Sequence, residues 1–380
     1  MFSKCALKKR WLGRRRAARI WPLWLLLCLV QFAVLKCEAA TTRTWDGGGT
    51  NAFWDTVVNW DNDALPATSD IVQFSTGLGS GAAINLNGNR TAASLTINTL
   101  SAFSITNSTL TLSSGDITRN DIAGTEADHT ITSGIALGAD GSWTINGSGS
   151  LIASGVISGS QKLTKLGTGT LVLSGVNTFS GLTTVSAGVL NAQNSSAFGT
   201  TAGNVSITSG AAIQLQGSIA IGTEALTLNG TGISGDGALR NISGNNSWAG
   251  AVSLGSATTI ASDAGTMTLS GAINNGGGTL TVDGASDTTL SGVISGSGGL
   301  TKTGSGSLTL NGSGLNTYSG NTAVNQGILY LNKSVANGAI TDTVTIGDGV
   351  GGEKADIVRY LPNTQMDSGS GTGMTFKNSG

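Results

Sequence analysis

The chain has 380 residues, 59 of them glycine, with 11% charged residues, 5% aromatics, three prolines and one histidine. A helical bundle needs a charged outer face, and average proteins carry about 25% charged residues, so this composition excludes one. The glycines keep no three-residue period, which excludes collagen, and 39% apolar residues with a net charge of −1 exclude a self-repelling disordered chain. What remains is an all-β chain that builds strands on Thr, Val, Ile and Leu and turns on Gly and Asn.

Residues 1–39 carry nine Lys/Arg against the single acid Glu38, and hold all three cysteines, Cys5, Cys28 and Cys37. Basic residues from Lys4 to Arg19 precede an apolar run, Ile20 to Leu35, and Cys37-Glu38-Ala39 sets small residues at positions −3 and −1 for cleavage before Ala40. Basic, apolar and small-residue regions in that order form a secretory signal. An uncleaved N-terminal anchor is the competing reading, although 16 residues interrupted by Pro22 and Gln31 fall short of the ~20 that a span wants. The cleaved product would hold no cysteine, hence no disulfide and no Cys-ligated metal. Its eleven basic and twenty acidic residues argue against a nucleic-acid partner.

Residues 40–75 are rich in tryptophan: Trp45, Trp54 and Trp60 fall within sixteen residues. Two readings stand. The open end of a repetitive sheet needs covering, and large aromatics cover it with few residues. Clustered indoles could instead form a platform for sugar rings.

From residue 76 to 380 short alternating runs recur between Gly, Ser and Asn breaks. Thr109-Leu110-Thr111-Leu112, Val205-Ser206-Ile207 and Thr279-Leu280-Thr281-Val282 are examples. Period two with one apolar face is the signature of a half-buried strand, and no window shows a helical stripe. Internal repeats are the strongest signal. Residues 154–175 match 291–312 at a constant offset of 137, pairing Leu163 with Leu300, Lys165 with Lys302 and Leu173 with Leu310. The match resumes at Asn177-Thr178-Phe179-Ser180-Gly181 against Asn316-Thr317-Tyr318-Ser319-Gly320, so that the copies span 154–190 and 291–331, with a degenerate copy at 232–254 around Trp248. Phe179, Trp248 and Tyr318 are 69 and 70 residues apart. Three rungs of about 23 residues fit that spacing, within the ~20–45 residues of structural repeats, and predict a β-solenoid in which the three aromatics share one column. Rungs ~4.8 Å apart stack apolar side chains inward and hydroxyls outward.

The units Leu300-Thr301-Lys302-Thr303-Gly304-Ser305-Gly306-Ser307-Leu308-Thr309-Leu310 and Asn316-Thr317-Tyr318-Ser319-Gly320 resemble the autotransporter-associated β-strand repeat, also called the passenger-associated transport repeat, of bacterial secreted surface proteins. The resemblance implies a right-handed parallel β-helix that is exported with the help of cell machinery and displayed or released at the cell surface. It does not imply an enzyme. The repeat positions it singles out are Lys165, Lys302, Asn177, Asn316, Phe179, Trp248, Tyr318, Gly181 and Gly320. An autotransporter ends in a membrane barrel, whereas this sequence ends Thr375-Phe376-Lys377-Asn378-Ser379-Gly380, a strand running into a turn. The expectation is either that further sequence follows or that export past the outer membrane does not use a barrel of its own.

Catalytic constellations are sparse. A nucleophilic triad needs a histidine, and His129, between Asp128 and Thr130, reads as a surface residue. The acids Asp116, Asp121, Glu126 and Asp128, and Asp342, Asp348, Glu353 and Asp356, read as loop acids, with a weak calcium site as the alternative. Lys165 and Lys302, at matching repeat positions, read as structural or solubilising. No catalytic residue, cofactor or metal is assigned. The expected function is a structural or adhesive surface solenoid whose ligand is a glycan or protein. The alternative is a polysaccharide-binding or polysaccharide-processing β-helix with its site outside the repeats.

Overall fold

The computed structural model describes residues 40–75, 78–336, 338–340, 342–348, 356–361 and 374–376. The chain divides into two units, Met1–Ala39 and Ala40–Gly380. The first, the segment read from sequence as a secretory signal or an anchor, lies outside the described residues, as do Glu353 and residues 377–380.

Three short strands, separated by turns, make one rung of a parallel β-solenoid, and the chain visits three faces in fixed order. On the first face Ser94–Ile97, Ile117–Arg119, Gly141–Ile145, Leu163–Leu166, Thr183–Val185, Val205–Ile207 and Leu226–Gly230 pair in succession. On the second face His129–Ile131, Ser150–Ala153, Thr170–Leu173, Gly188–Ala192, Ala211–Gln216 and Leu239–Ser243 do the same. The third face carries Thr109–Leu112, Gly134–Leu137 and Ile157–Ser158, then, after irregular backbone, Ala220–Ile221, Asn246–Trp248, Thr266–Leu269 and Asp287–Leu290. Helical structure among the described residues is confined to two 3-10 turns, Val57–Asn59 and Asp61–Asp63.

The alternation seen in the sequence sets the layers. Leu163, Thr183, Val205, Leu226, Val252, Ile273 and Ile294 are successive register partners and point inward, all of them buried. Their neighbours Thr164, Thr184, Ser206, Thr227 and Ser253 form an outward hydroxyl column. Period two delivers one residue of each kind to each rung, so like meets like ~4.8 Å away. Partners lie 20 to 26 residues apart, about 22 on average, one fewer than the spacing of the aromatics suggests.

The tryptophan-rich segment packs on itself at the first rungs. Trp60 meets Trp45 edge-on at 5.1 Å and Trp54 at 4.8 Å, and all three border Phe74. Trp60 Nε1 donates to the Trp54 carbonyl at 2.7 Å. Each of the three indoles is at most 3% exposed, so none offers a face to a sugar.

The two repeat copies differ in placement from the sequence expectation. In the first copy Leu163–Leu166 lies on the first face, beside Thr183–Val185. In the second, Leu300–Lys302 pairs with Leu280–Asp283 and Thr322–Val324, all on the second face. The copies are rotated by one face. Accordingly Phe179 follows Ile157 on the third face, through the bond from Phe179 N–H to the Ile157 carbonyl, and Trp248 lies on that face too. Tyr318 does not. Its neighbours Thr317 and Ser319 donate to Ile294 and Gly296, which places it on the first face. The reason is uneven rung length. Six rungs take Leu163 only to Ile294, and the six residues left carry the chain around one corner to Leu300.

Candidate functional site

The repeat positions form a clamp of two separate inward sets, the lysine at one corner of the solenoid and the asparagine with its aromatic at another, and the two sets share no bonding partner among the described residues. Lys165 occupies the third, inward position of its strand and is fully buried. Its Nζ donates to the carbonyls of Leu166 at 2.9 Å, Gly167 at 2.8 Å and, one rung on, Ala187 at 3.2 Å. Lys302 repeats this with Thr303, Gly304 at 2.8 Å and Gln326 at 3.3 Å. Corner carbonyls that lack a ladder partner would be costly to bury, and the ammonium satisfies three at once. Burial pushes both lysines down to about 8, against carboxylates Asp283 and Asp287 that pull Lys302 the other way. Of the structural and solubilising roles read for these residues, the burial fits the structural one and not the solubilising one: the charge faces carbonyls in the interior, not water. Closing the corner requires glycine. Gly188 has φ +65, and a Cβ there would lie 2.5 Å from the carbonyl oxygens of Gly167 and Gly169.

Asn177 and Asn316 hold three consecutive rungs together. Asn177 Oδ1 accepts from Ile157 N–H at 2.9 Å, and its Nδ2 donates to the Ala197 carbonyl at 2.7 Å. Asn316 makes the same pair with Ile294 and Ala339, at 2.9 and 2.8 Å. Each buried amide thus replaces ladder bonds where the backbone bends. Two residues on, Phe179 and Tyr318 are fully buried. Tyr318 shares a 2.6 Å hydrogen bond with Thr322 Oγ1, and burial pushes its phenol up to about 12. Trp248 Nε1 donates to the Glu224 carbonyl at 2.8 Å, and the Phe198 ring sits 5.3 Å away. Gly181 and Gly320 have no room for a side chain: a Cβ would come within 2.1 Å of the Gln161 oxygen and 2.5 Å of the Gly298 carbonyl carbon.

Sequence reasoning missed three members of this inward polar set. Lys333 is buried, donates to the Gly292 carbonyl at 2.9 Å and is lowered to about 8 by burial. Asn246 accepts from Ile219 N–H at 2.7 Å, as Asn177 does from Ile157. Arg119 is buried against Glu126 at 3.3 Å, while Glu126 accepts from Ile122 N–H and Ser148 N–H at 3.0 and 2.5 Å. Parity was the available signal: Leu329-Tyr330-Leu331-Asn332-Lys333 and Ile117-Thr118-Arg119 put the cation on the apolar side of the alternation.

His129 also differs from expectation. It occupies an inward place on the second face, 1% exposed, with its ring 4.8 Å from Phe103. Burial, then the charge of Arg119, pushes its imidazole down to about 4. The nearby acids do not converge: Asp116 accepts from Ser142 N–H, Asp128 from Ser150 N–H, and Glu126 is committed to Arg119. Among the described residues no three metal-ligating side chains gather.

Fold and clamp together define a parallel β-solenoid carrying a repeated unit that ties neighbouring rungs. That unit has known relatives. The sequence model of the passenger-associated-transport-repeat matches residues 163–192 and 300–331, the two stretches that carry the clamp. The chain is also 30% identical to the adhesin BmaC autotransporter of Brucella suis biovar 1 (strain 1330), over 56% of its own length. It spans only 6% of that protein. No solved structure matches the chain.

Proposed function

We propose that the chain is an exported passenger segment, a surface solenoid with a structural or adhesive role, whose repeats keep successive rungs in register. The observation that carries this reading is the pair of transport repeats, each forming a Lys–Asn–aromatic clamp in a parallel solenoid. The 30% identity to an autotransporter adhesin supports it. A bonded, glycine-closed interior leaves interaction to the outer faces, which suits adhesion better than turnover. The test is protease treatment of intact Gram-negative cells producing the chain, together with adhesion of chain-coated beads to host cells or extracellular matrix. Digestion from outside with a periplasmic marker spared, and beads that adhere above uncoated controls, is the expected result. A chain protected until the cells are lysed would refute surface display, and beads that do not adhere would remove the adhesive role.

A further inference from the structure

Among the described residues two connections between the first and second faces stand out for length. The first, 120–128, is filled by its own Glu126, which meets Arg119 and the backbone N–H groups of Ile122 and Ser148. The second, 231–238, lies between Leu226–Gly230 and Leu239–Ser243, where the preceding rung turns in three residues between Ile207 and Ala211. This overhang leaves a cleft of about 100 Å³ against the second face, lined by Val189, Ala212, Gln214, Ile233, Asp236 and Arg240 together with Gly237.

The polar groups of the cleft are held from behind. Arg240 donates through Nε to Asp263 at 2.5 Å and through an η nitrogen to Asp236 at 3.1 Å. Gln214 Oε1 accepts from Asn191 Nδ2 at 3.3 Å, so its amide is oriented while its Nε2 keeps no partner among the described residues. Asn191 itself is 4% exposed and its Oδ1 has no hydrogen-bond partner among the described residues. Val189, Ala212 and Ile233 supply an apolar wall.

We propose that this cleft binds one ring of a neutral saccharide. A sugar hydroxyl both donates and accepts, matching the free Gln214 N–H and the Asp236 carboxylate oxygen that Arg240 leaves open. The C–H face of the ring matches the apolar wall. One guanidinium between two carboxylates leaves a net negative site, which disfavours acidic sugars. The cleft is well below the ~300 Å³ at which drug-sized pockets begin, so it takes a single ring, and affinity for a glycan surface would come from many copies of the chain. The proposal rests on the surface-passenger reading only for where a glycan would be met.

The test is ligand-observed saturation-transfer NMR on the purified exported chain, with glucose, galactose, mannose and N-acetylglucosamine, and with glucuronate and N-acetylneuraminate as acidic probes. At least one neutral sugar should receive saturation. Gln214→Ala and Ile233→Asp should each weaken binding about tenfold, the equivalent of one lost hydrogen bond or contact, while Thr281→Ala, on the same face outside the cleft, should bind as the parent does. No transfer to any neutral sugar, a preference for the acidic sugars, or undiminished binding by Gln214→Ala would each overturn the proposal. Failure here leaves surface display standing, and failure of surface display leaves this binding measurable.

Discussion

Asn177→Ala isolates the clamp from the rest of the core. The substitution leaves Ile157 N–H and the Ala197 carbonyl without the side-chain partners they have at 2.9 and 2.7 Å, both in the buried interior. A buried polar group left unsatisfied costs about 1–3 kcal/mol, so the pair should cost about 2–6 kcal/mol. In a solenoid each rung contacts its neighbours, so the loss should stay local. Amide hydrogen exchange should show lost protection across residues 157–197 and little change across 294–339, where Asn316 makes the same pair. Asn316→Ala should give the mirror image. Asn177→Asp sharpens the test. It keeps an acceptor for Ile157 but sets a carboxylate against the Ala197 oxygen, so it should be worse than alanine at neutral pH and recover in part on acidification. A loss below about 1 kcal/mol, or protection falling uniformly along the chain, would refute the clamp.

Three further outcomes follow from the interior. His129 titrates near 4 in the folded chain and near 6.5 unfolded, so its contribution is complete above pH 6.5 and is lost as pH falls through 4, on the order of 3 kcal/mol; His129→Leu should lower the acid-unfolding midpoint. Lys165, Lys302 and Lys333 titrate near 8 rather than 10.5, so the unfolded chain holds more protons in that interval and stability should rise with pH from 8 towards 10. Tyr318, raised from 10 to about 12, reverses the slope above pH 10; urea midpoints across this range, with Lys165→Met reducing the rise, check both signs. Phe179→Ala should cost roughly 3–5 kcal/mol, read from denaturant unfolding, with exchange losses confined to rungs near 160–200.

Strand positions were legible because period two is written directly in segments such as Thr109-Leu110-Thr111-Leu112, whose burial alternates as the letters do. The repeats were legible because Lys165 and Lys302, or Asn177 and Asn316, stand in matching company. What each polar repeat residue does was not. A lysine in an alternating run carries no mark of where its charge goes, and only its parity with Leu163 places it inside. Rung phase was hidden for a different reason. Rungs of 20 and 21 residues carry Trp248 to Leu269, Leu290 and Leu310, so a spacing of 70 reads as three whole rungs when it is three rungs and a corner, and nothing in the composition marks the shorter rungs.

The rotation of the second copy shows what the repeat unit depends on. Were its fit specific to one face, a copy displaced by one corner would meet the wrong neighbours and its asparagine would lose its partners. It does not: Asn316 bonds to Ile294 and Ala339 as Asn177 does to Ile157 and Ala197. Lys302 likewise meets the carbonyls one and two residues ahead and one rung on, as Lys165 does. Every contact of the clamp is therefore either within its own turn or to the adjacent rung, and both placements, starting on the first face or on the second, supply those. The unit fixes rung-to-rung register locally and tolerates changes of rung length elsewhere, since these shift its face without changing its partners. That tolerance is what allows an overhang such as 231–238 to be added to the outer surface while the interior stays closed.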